Sequence, residues 1–283
     1  MSAGQDGRVR SAGQDGPVDD IESVGYLRVP DAEGGGAARR WWDANAAQYL
    51  DEHGDFLGYA LFRWGPEGLT EAEAGLLGDV TGRRALEVGA GAAQCSRWLA
   101  TRGAHVVATD VSHAMLAGGA PLDAATGARV PVVQADARAL PFADASFDVV
   151  FTSFGALPFV PDAVTVHAEA ARVLRPGGRW VFSVTHPLRW AFPDDPTLRG
   201  LTAHRSYFDR RPYVEQDAAG RVLYAEYHRT VGDHVRDVVA AGLRLVDVVE
   251  PEWPAWNEQV WGGWGPERGA YLPGTAVFVT VRP

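Results

Sequence analysis

Arg83-Arg-Ala-Leu-Glu-Val-Gly-Ala-Gly-Ala-Ala-Gln-Cys-Ser-Arg-Trp-Leu-Ala100 is the stretch that decides the fold class. Ala85 to Val88 is a short apolar run of the kind that forms a buried parallel strand. Gly89 to Ala93 is a turn of small residues. The helix that follows carries Cys95, Trp98 and Leu99 on one face. Strand, glycine turn and helix make the first half of a βαβ unit, in which backbone amides approach a ligand at a helix N-terminus. A dinucleotide-binding turn places its third glycine three residues after the second. Here that position is Gln94. The pattern acidic-x-Gly-x-Gly-x-small fits better, as Glu87, Gly89, Gly91 and Ala93. A carboxylate at the strand end repels a pyrophosphate and suits a ligand carrying an ammonium and hydroxyls.

On these residues the chain resembles the class I S-adenosylmethionine-dependent methyltransferases. Glu87-Val-Gly-Ala-Gly-Ala-Ala93 is similar to their first motif, with Ala93 at the usual third glycine, a mild change in size. Two further stretches carry the resemblance: Leu140-Pro-Phe-Ala-Asp-Ala-Ser-Phe-Asp-Val-Val-Phe151 and Val173-Leu-Arg-Pro-Gly-Gly-Arg-Trp-Val-Phe-Ser183. The likeness is strong over residues 38 to 186 and weak over the last strands. It implies an α/β, Rossmann-like, seven-stranded and mostly parallel sheet with helices on both faces. The seventh strand is antiparallel, and an insertion follows the fifth.

The pattern along the chain predicts strands at His105–Thr109, Val130–Gln134, Phe147–Thr152, Trp180–Val184, Leu243–Val249 and Ala276–Val281. Helices are expected from Ser112 to Leu116, Ala163 to Leu174 and Val231 to Ala241, with another begun by Thr70-Glu-Ala-Glu. Arg175-Pro-Gly-Gly reads as a sharp helix stop. Ser206-Tyr-Phe and Val222 to His228 read as an antiparallel pair turning around Asp217 to Gly220. Residues 1 to 35 are polar and glycine-rich, with Ser2-Ala-Gly-Gln-Asp-Gly repeated at Ser11, and read as a disordered tail. Residues 36 to 283 then form the domain, with 187 to 229 and 251 to 272 as segments covering the substrate.

The resemblance assigns S-adenosylmethionine to Glu87, Gly89, Ala90, Gly91 and Gln94 in the turn. It adds Asp110, Val111 and Met115 after the second strand, Ala135, Asp136 and Ala137 after the third, and Phe151 and Thr152 at the end of the fourth. Asp110 falls about twenty residues past the glycine turn, where a carboxylate can hold ribose hydroxyls. Its other reading is a helix cap, a job Ser112 can also do. Val111 and Met115 flank the adenine, or Met115 is plain core. Asp136 accepts from the adenine amino group. Phe151 is also readable as core.

Trp42, Tyr49 and Phe154 are candidate substrate contacts. So are Trp256 and Trp261, two of four tryptophans in the loop that also holds Trp253 and Trp264. That loop is either an aromatic wall or packing against the sheet or a second subunit. His186, leaving the fifth strand, is the candidate general base, and His53 on the N-terminal helix the second candidate. His186 is equally readable as a turn residue beside Pro187.

A net charge of −10 argues against a nucleic-acid polyanion as the main partner. Cys95, the single cysteine, can form neither an internal disulfide nor a cysteine cluster. No apolar run reads as a membrane span and no start as a signal peptide, so a cytoplasmic monomer or homodimer is expected. No metal site is expected. The predicted activity is methyl transfer from S-adenosylmethionine to an oxygen, nitrogen or carbon of a small, largely apolar molecule. The alternatives are an NAD-dependent oxidoreductase and a non-catalytic S-adenosylmethionine-binding protein.

Overall fold

The structure, a computed structural model, describes residues 21–283. Its elements in chain order are β1 (Ser23–Tyr26), α1 (Asp31–Leu57), α2 (Glu71–Ala74), β2 (Arg84–Val88), α3 (Gln94–Thr101), β3 (His105–Asp110), α4 (His113–Ala117), α5 (Ala120–Thr126), β4 (Val132–Gln134), β5 (Phe147–Ser153), α6 (Ala163–Val173), β6 (Leu174–Thr185), β7 (Tyr213–Gln216), β8 (Val222–Glu226), α7 (Val231–Ala240), β9 (Arg244–Val249), α8 (Pro266–Gly269) and β10 (Thr275–Val281). Seven of the strands form one sheet in the order β4-β3-β2-β5-β6-β10-β9. β4, β3, β2, β5 and β6 run parallel, and β10 is antiparallel to both its neighbours. Strand order therefore reverses between β2 and β5, and ligands of such sheets bind at the carboxyl edge of that switch point.

Strand periodicity explains the two apolar layers. Leu86, Val88, Val150, Trp180, Phe182 and Phe278 point to the face covered by α6 and α7. Ala85, Val149, Phe151, Val181 and Val277 point to the face covered by α3 and by Phe62, Trp64 and Leu77. The Phe182 and Phe278 rings stack at 4.9 Å and 9° across β6 and β10. Such a pair adds about 0.5–1.5 kcal/mol beyond its buried area.

A second sheet of three strands, β1-β7-β8, stands apart. It corrects two expectations. The hairpin's first strand is Tyr213–Gln216, whereas Ser206 to Phe208 lies in an irregular segment. The turn itself is where it was expected, closed by Asp217 and Arg221 backbones with Gly220 at φ 76. The tail boundary also moves. Residues 1–20 lie outside the described residues, but Ser23–Tyr26 pairs with Gln216–Tyr213 as an edge strand, and helix α1 starts at Asp31, inside the stretch read as tail. Gly34 to Gly36 sit inside that helix despite their poor propensity. A Cβ on Gly34 would meet the Tyr227 side chain, and one on Gly35 would lie 2.9 Å from Arg138. Close packing thus explains a run that reads as tail.

Helix α6 ends at Val173, and Arg175-Pro-Gly-Gly runs on as the start of the long strand β6. None of the described helices is long and apolar enough to cross a membrane.

Candidate active site

The carboxyl ends of β2, β3 and β5 open into one cleft, with about 1840 Å³ of empty space counted to its open mouth.

One half is built by backbone. Gly89 has φ 69, and a Cβ there would sit 2.6 Å from the Ala156 amide nitrogen. Gly91 has φ 54, with the Met115 methyl 3.0 Å from where a Cβ would be. Ala93 also lies in the left-handed region, at φ 61. The conformation, more than the size, is what glycine at this position would ease. Glu87 is buried under the turn, and its Oε2 accepts from the Ser96 amide at 3.0 Å and the Ser96 hydroxyl at 2.5 Å. Burial pushes its carboxyl up to about 7, against the pull of the Ser96 donors.

Asp110 closes β3. Its Oδ2 accepts from the Gly91 amide and its Oδ1 from the Ser112 amide, both at 2.8 Å. The carboxylate therefore ties the glycine turn to the start of α4 and lines the cleft as well. Burial raises its pKa despite these two bonds. Ser112 caps α4 through the Met115 amide, as the alternative reading of Asp110 allowed. Asp43 reaches down from α1 to accept from the Ser112 hydroxyl at 2.7 Å and the Ala114 amide at 3.1 Å. That contact anchors α1 over the site, and nothing in the sequence pattern marks it. Asp136 lines the cleft but is held by Arg138, with Nη2 to Oδ2 at 2.6 Å, and this pairing lowers its pKa. Ala90, Gln94, Val111, Met115, Ala135 and Ala137 line the same half.

Phe151 and Thr152 do not reach the cleft. Phe151 is core, with its ring 4.9 Å from Phe62. Thr152 is buried beneath the Gly155 turn, its Oγ1 2.8 Å from a Cβ built there. Strand alternation sends Phe151 into the α3 face, so the core reading of Phe151 holds.

The other half is aromatic. Trp42 packs edge-on to Tyr49 at 5.2 Å and to Phe159 at 5.4 Å. Phe154, at φ 57, and Trp261 complete the wall. Trp264 lines it too, while Trp256 is 63% exposed and lies over Gly68 away from the cleft. Trp253 donates to the Asn257 carbonyl. At the far end of this wall stand Arg189, Asp194, Tyr224 and Glu226, which the sequence reading missed. Only the strand period of β8, which puts Tyr224 and Glu226 on one face, carried a signal for them.

The two candidate bases are placed elsewhere. His186 is 2% exposed and does not line the cleft. Its Nδ1 accepts from the Leu188 amide at 3.2 Å and its Nε2 pairs with Glu250 at 2.7 Å. Burial lowers its pKa, opposed by Glu250. It caps the 3-10 turn Pro187–Ala191, the turn role its position beside Pro187 allowed. His53 stacks on Trp261 at 4.0 Å and 15°, behind the wall rather than in it. Among the described residues no group of three or more His, Cys, Asp or Glu is placed to hold a metal ion.

The glycine cradle, the Asp110 carboxylate and the apolar slot of Val111 and Met115 fit a ligand with a ribose, a flat base and an ammonium. Proteins that use such a ligand are found among those this chain resembles. Residues 86–182 match the model of the methyltransferase domain family. Over 105 residues the chain is 49% identical to a demethylmenaquinone methyltransferase from Mycobacterium sp. (strain KMS), covering 37% of this chain and 43% of that protein. The chain thus spans less than half the length of the curated relatives it matches. An S-adenosylmethionine-dependent methyltransferase from Mesorhizobium loti superimposes with a TM-score of 0.58 and 26% identity, over 77% of this chain and all of that one. The 1,6-didemethyltoxoflavin-N1-methyltransferase of Burkholderia thailandensis, solved with its acceptor and S-adenosylhomocysteine, shares the fold at a TM-score of 0.59 and 20% identity, over 92% and 94% of the two chains. The sheet order and the glycine cradle agree with these matches: residues 86–182 are similar to the methyltransferase domain family, and the Mesorhizobium loti protein that shares the fold is an S-adenosylmethionine-dependent methyltransferase.

Proposed function

We propose that this protein transfers the methyl group of S-adenosylmethionine to an oxygen, nitrogen or carbon of a small molecule that is flat and largely apolar. The observation that carries the reading is the single cleft shared by the glycine cradle and the aromatic wall. Glu87, Gly89, Gly91, Asp110, Val111 and Met115 hold the cofactor end, with Ala90, Gln94, Ala135, Asp136 and Ala137 around them. Trp42, Tyr49, Phe154 and Trp261 face the acceptor. Residues 187–229 and 251–272 cover it by contributing Arg189, Asp194, Tyr224, Glu226, Trp261 and Trp264. The cofactor supplies a methyl group already activated by its sulfonium. What this chain's residues add is alignment of cofactor and acceptor within one cleft, worth up to ~7–11 kcal/mol in favourable cases. Neither His186 nor His53 lines the cleft, so the proposal assigns no rate to a histidine base.

The reading carries with it a cytoplasmic protein, a monomer or homodimer, acting on a small molecule. Demethylmenaquinone, for which the matched relatives are named, is one candidate acceptor. An NAD-dependent oxidoreductase is disfavoured by Gln94 and by a buried carboxylate under the turn. A non-catalytic binding protein would not need the second half of the cleft. Calorimetry with S-adenosylmethionine, S-adenosylhomocysteine and NAD tests the cofactor. Incubating the protein and methyl-labelled S-adenosylmethionine with a small-molecule extract tests turnover. NAD binding without S-adenosylmethionine binding would overturn the proposal, as would cofactor binding with no labelled product from any acceptor tried.

A further inference from the structure

The far end of the aromatic wall holds charges that the methyl-transfer reading leaves unused. Arg189 extends from the 3-10 turn after β6, is 7% exposed, and lines the cleft. Among the described residues its ion pair is with Asp194, Nη2 to Oδ2 at 3.4 Å, and it lies over the Trp190 ring at 4.7 Å. A charge-assisted hydrogen bond is normally about 2.7–2.9 Å, so among those residues this five-donor guanidinium has one long ion-pair contact. Glu226 closes β8, is 6% exposed, and accepts at Oε2 from the Tyr224 hydroxyl at 3.3 Å. It too lines the cleft. Buried polar groups with spare hydrogen-bonding capacity are costly unless a partner arrives.

The charges around the site narrow what that partner is. An anionic head drawn to Arg189 would meet Asp194 and Glu226. An ammonium drawn to Glu226 would meet Arg189, with Arg268 acting on the same cluster from behind Asp194. An uncharged group satisfies both sides: an oxygen accepting from the guanidinium and an adjacent N–H or O–H donating to the carboxylate. The planar fork of arginine suits an oxygen held in the plane of a ring. The aromatic wall beside it, Trp42, Phe159 and Tyr224, suits the ring itself.

We propose that Arg189 and Glu226 form the docking edge for the methyl acceptor, and that the acceptor is an uncharged flat ring system bearing a hydrogen-bond acceptor beside a donor, as in a lactam. This rests on the methyltransferase reading and adds a substrate class to it. The test uses full-length protein saturated with S-adenosylhomocysteine, whose own binding is measured first. The probes are 2-quinolone, which carries adjacent C=O and N–H, and 2-methoxyquinoline, which keeps the ring and loses that edge, with quinoline-2-carboxylate as the anionic counterpart. Dissociation constants come from ligand-observed NMR.

The expected result is that 2-quinolone binds at least about tenfold tighter than either other probe. In Glu226→Gln and Arg189→Met the preference should fall to about threefold or less, while S-adenosylhomocysteine affinity stays within about twofold. Should Arg189→Met fail to fold, Arg189→Lys keeps the charge, loses the fork, and should lose the preference as well. Equal binding of 2-quinolone and 2-methoxyquinoline, tightest binding of the carboxylate, no measurable quinolone binding, or an undiminished preference in Glu226→Gln would each overturn the assignment. Failure of the wild-type protein to bind S-adenosylhomocysteine would overturn the methyltransferase reading instead.

Discussion

Replacing Glu87 with glutamine tests the cofactor end of the cleft by stability and binding at once. The side chain is 2% exposed and its carboxyl is pushed up from the usual 4.5 to about 7, chiefly by burial. Between those values the unfolded chain has released this proton and the folded chain still holds it. Folding stability therefore falls as pH rises from 4.5 to 7, and the loss is complete above 7. At about 1.36 kcal/mol per pH unit, the ionised carboxylate costs up to about 3 kcal/mol at pH 8. Glutamine removes that cost, and its carbonyl can still accept from the Ser96 amide and hydroxyl, which both reach Oε2.

Cofactor-free Glu87→Gln should therefore melt about 5–10 °C above wild type at pH 8, and within a degree or two of it at pH 4.5. Taking the difference between the two proteins cancels the opposing slope of the buried histidines. The same variant should bind S-adenosylmethionine at least about tenfold more weakly, because a charge facing the ligand is gone. Differential scanning calorimetry and titration calorimetry check both parts. A melting difference that does not change with pH would refute the buried-carboxylate argument. A stabilised variant with unchanged affinity would remove Glu87 from the cofactor site.

Asp110→Ala should weaken S-adenosylmethionine by about 1–3 kcal/mol in titration calorimetry, through the ribose contact and through release of the Gly91 amide. Trp261→Ala should raise the acceptor KM severalfold while Trp256→Ala leaves it unchanged, because Trp261 alone of the two lines the cleft; steady-state kinetics on any accepted substrate decides this. His186→Ala should keep kcat within about twofold across pH 6 to 9 yet lose about 1–3 kcal/mol of stability in urea, since a buried cap and the Glu250 pairing go together. His167, whose Nδ1 accepts from the Trp180 indole, is held down to about 3 by burial, so stability falls as pH drops from 6.5 towards 3. His167→Gln should flatten that part of the denaturation profile, by about 2 kcal/mol at pH 5.

The glycine-turn half of the cleft was legible in its placement because its residues sit at fixed chain positions around one βαβ unit. A strand must precede the turn and a helix must follow it, so Glu87, Gly89, Gly91 and Asp110 can be placed from spacing alone. Phe151 and Thr152 misled for the same reason. They end the correct strand, but alternation turns one into the α3 layer and buries the other beneath Gly155. His186 misled through chain position as well. Emergence at the carboxyl edge says nothing about which way a ring turns, and here the free Leu188 amide captures it. The tail boundary was misplaced because a glycine run reads as absence of structure. Gly34 and Gly35 are instead where the Tyr227 and Arg138 side chains come up against a helix.

The acceptor half obeys a different logic. Its side chains come from α1, the segment after β5, the turn after β6, β8 and the loop before α8, which the fold brings together. The facing of Tyr224 and Glu226 depends on the register of β8 against β7, and a slip of one residue would turn both away. That register is set by the Asp217 turn and by the pairing of β7 with β1 on its other side. Ser23 to Tyr26 thus helps fix where a carboxylate meets the cleft, although it touches no part of the cofactor motif. The tail strand and the acceptor edge are one structural unit, and the glycine turn and Asp110 are another.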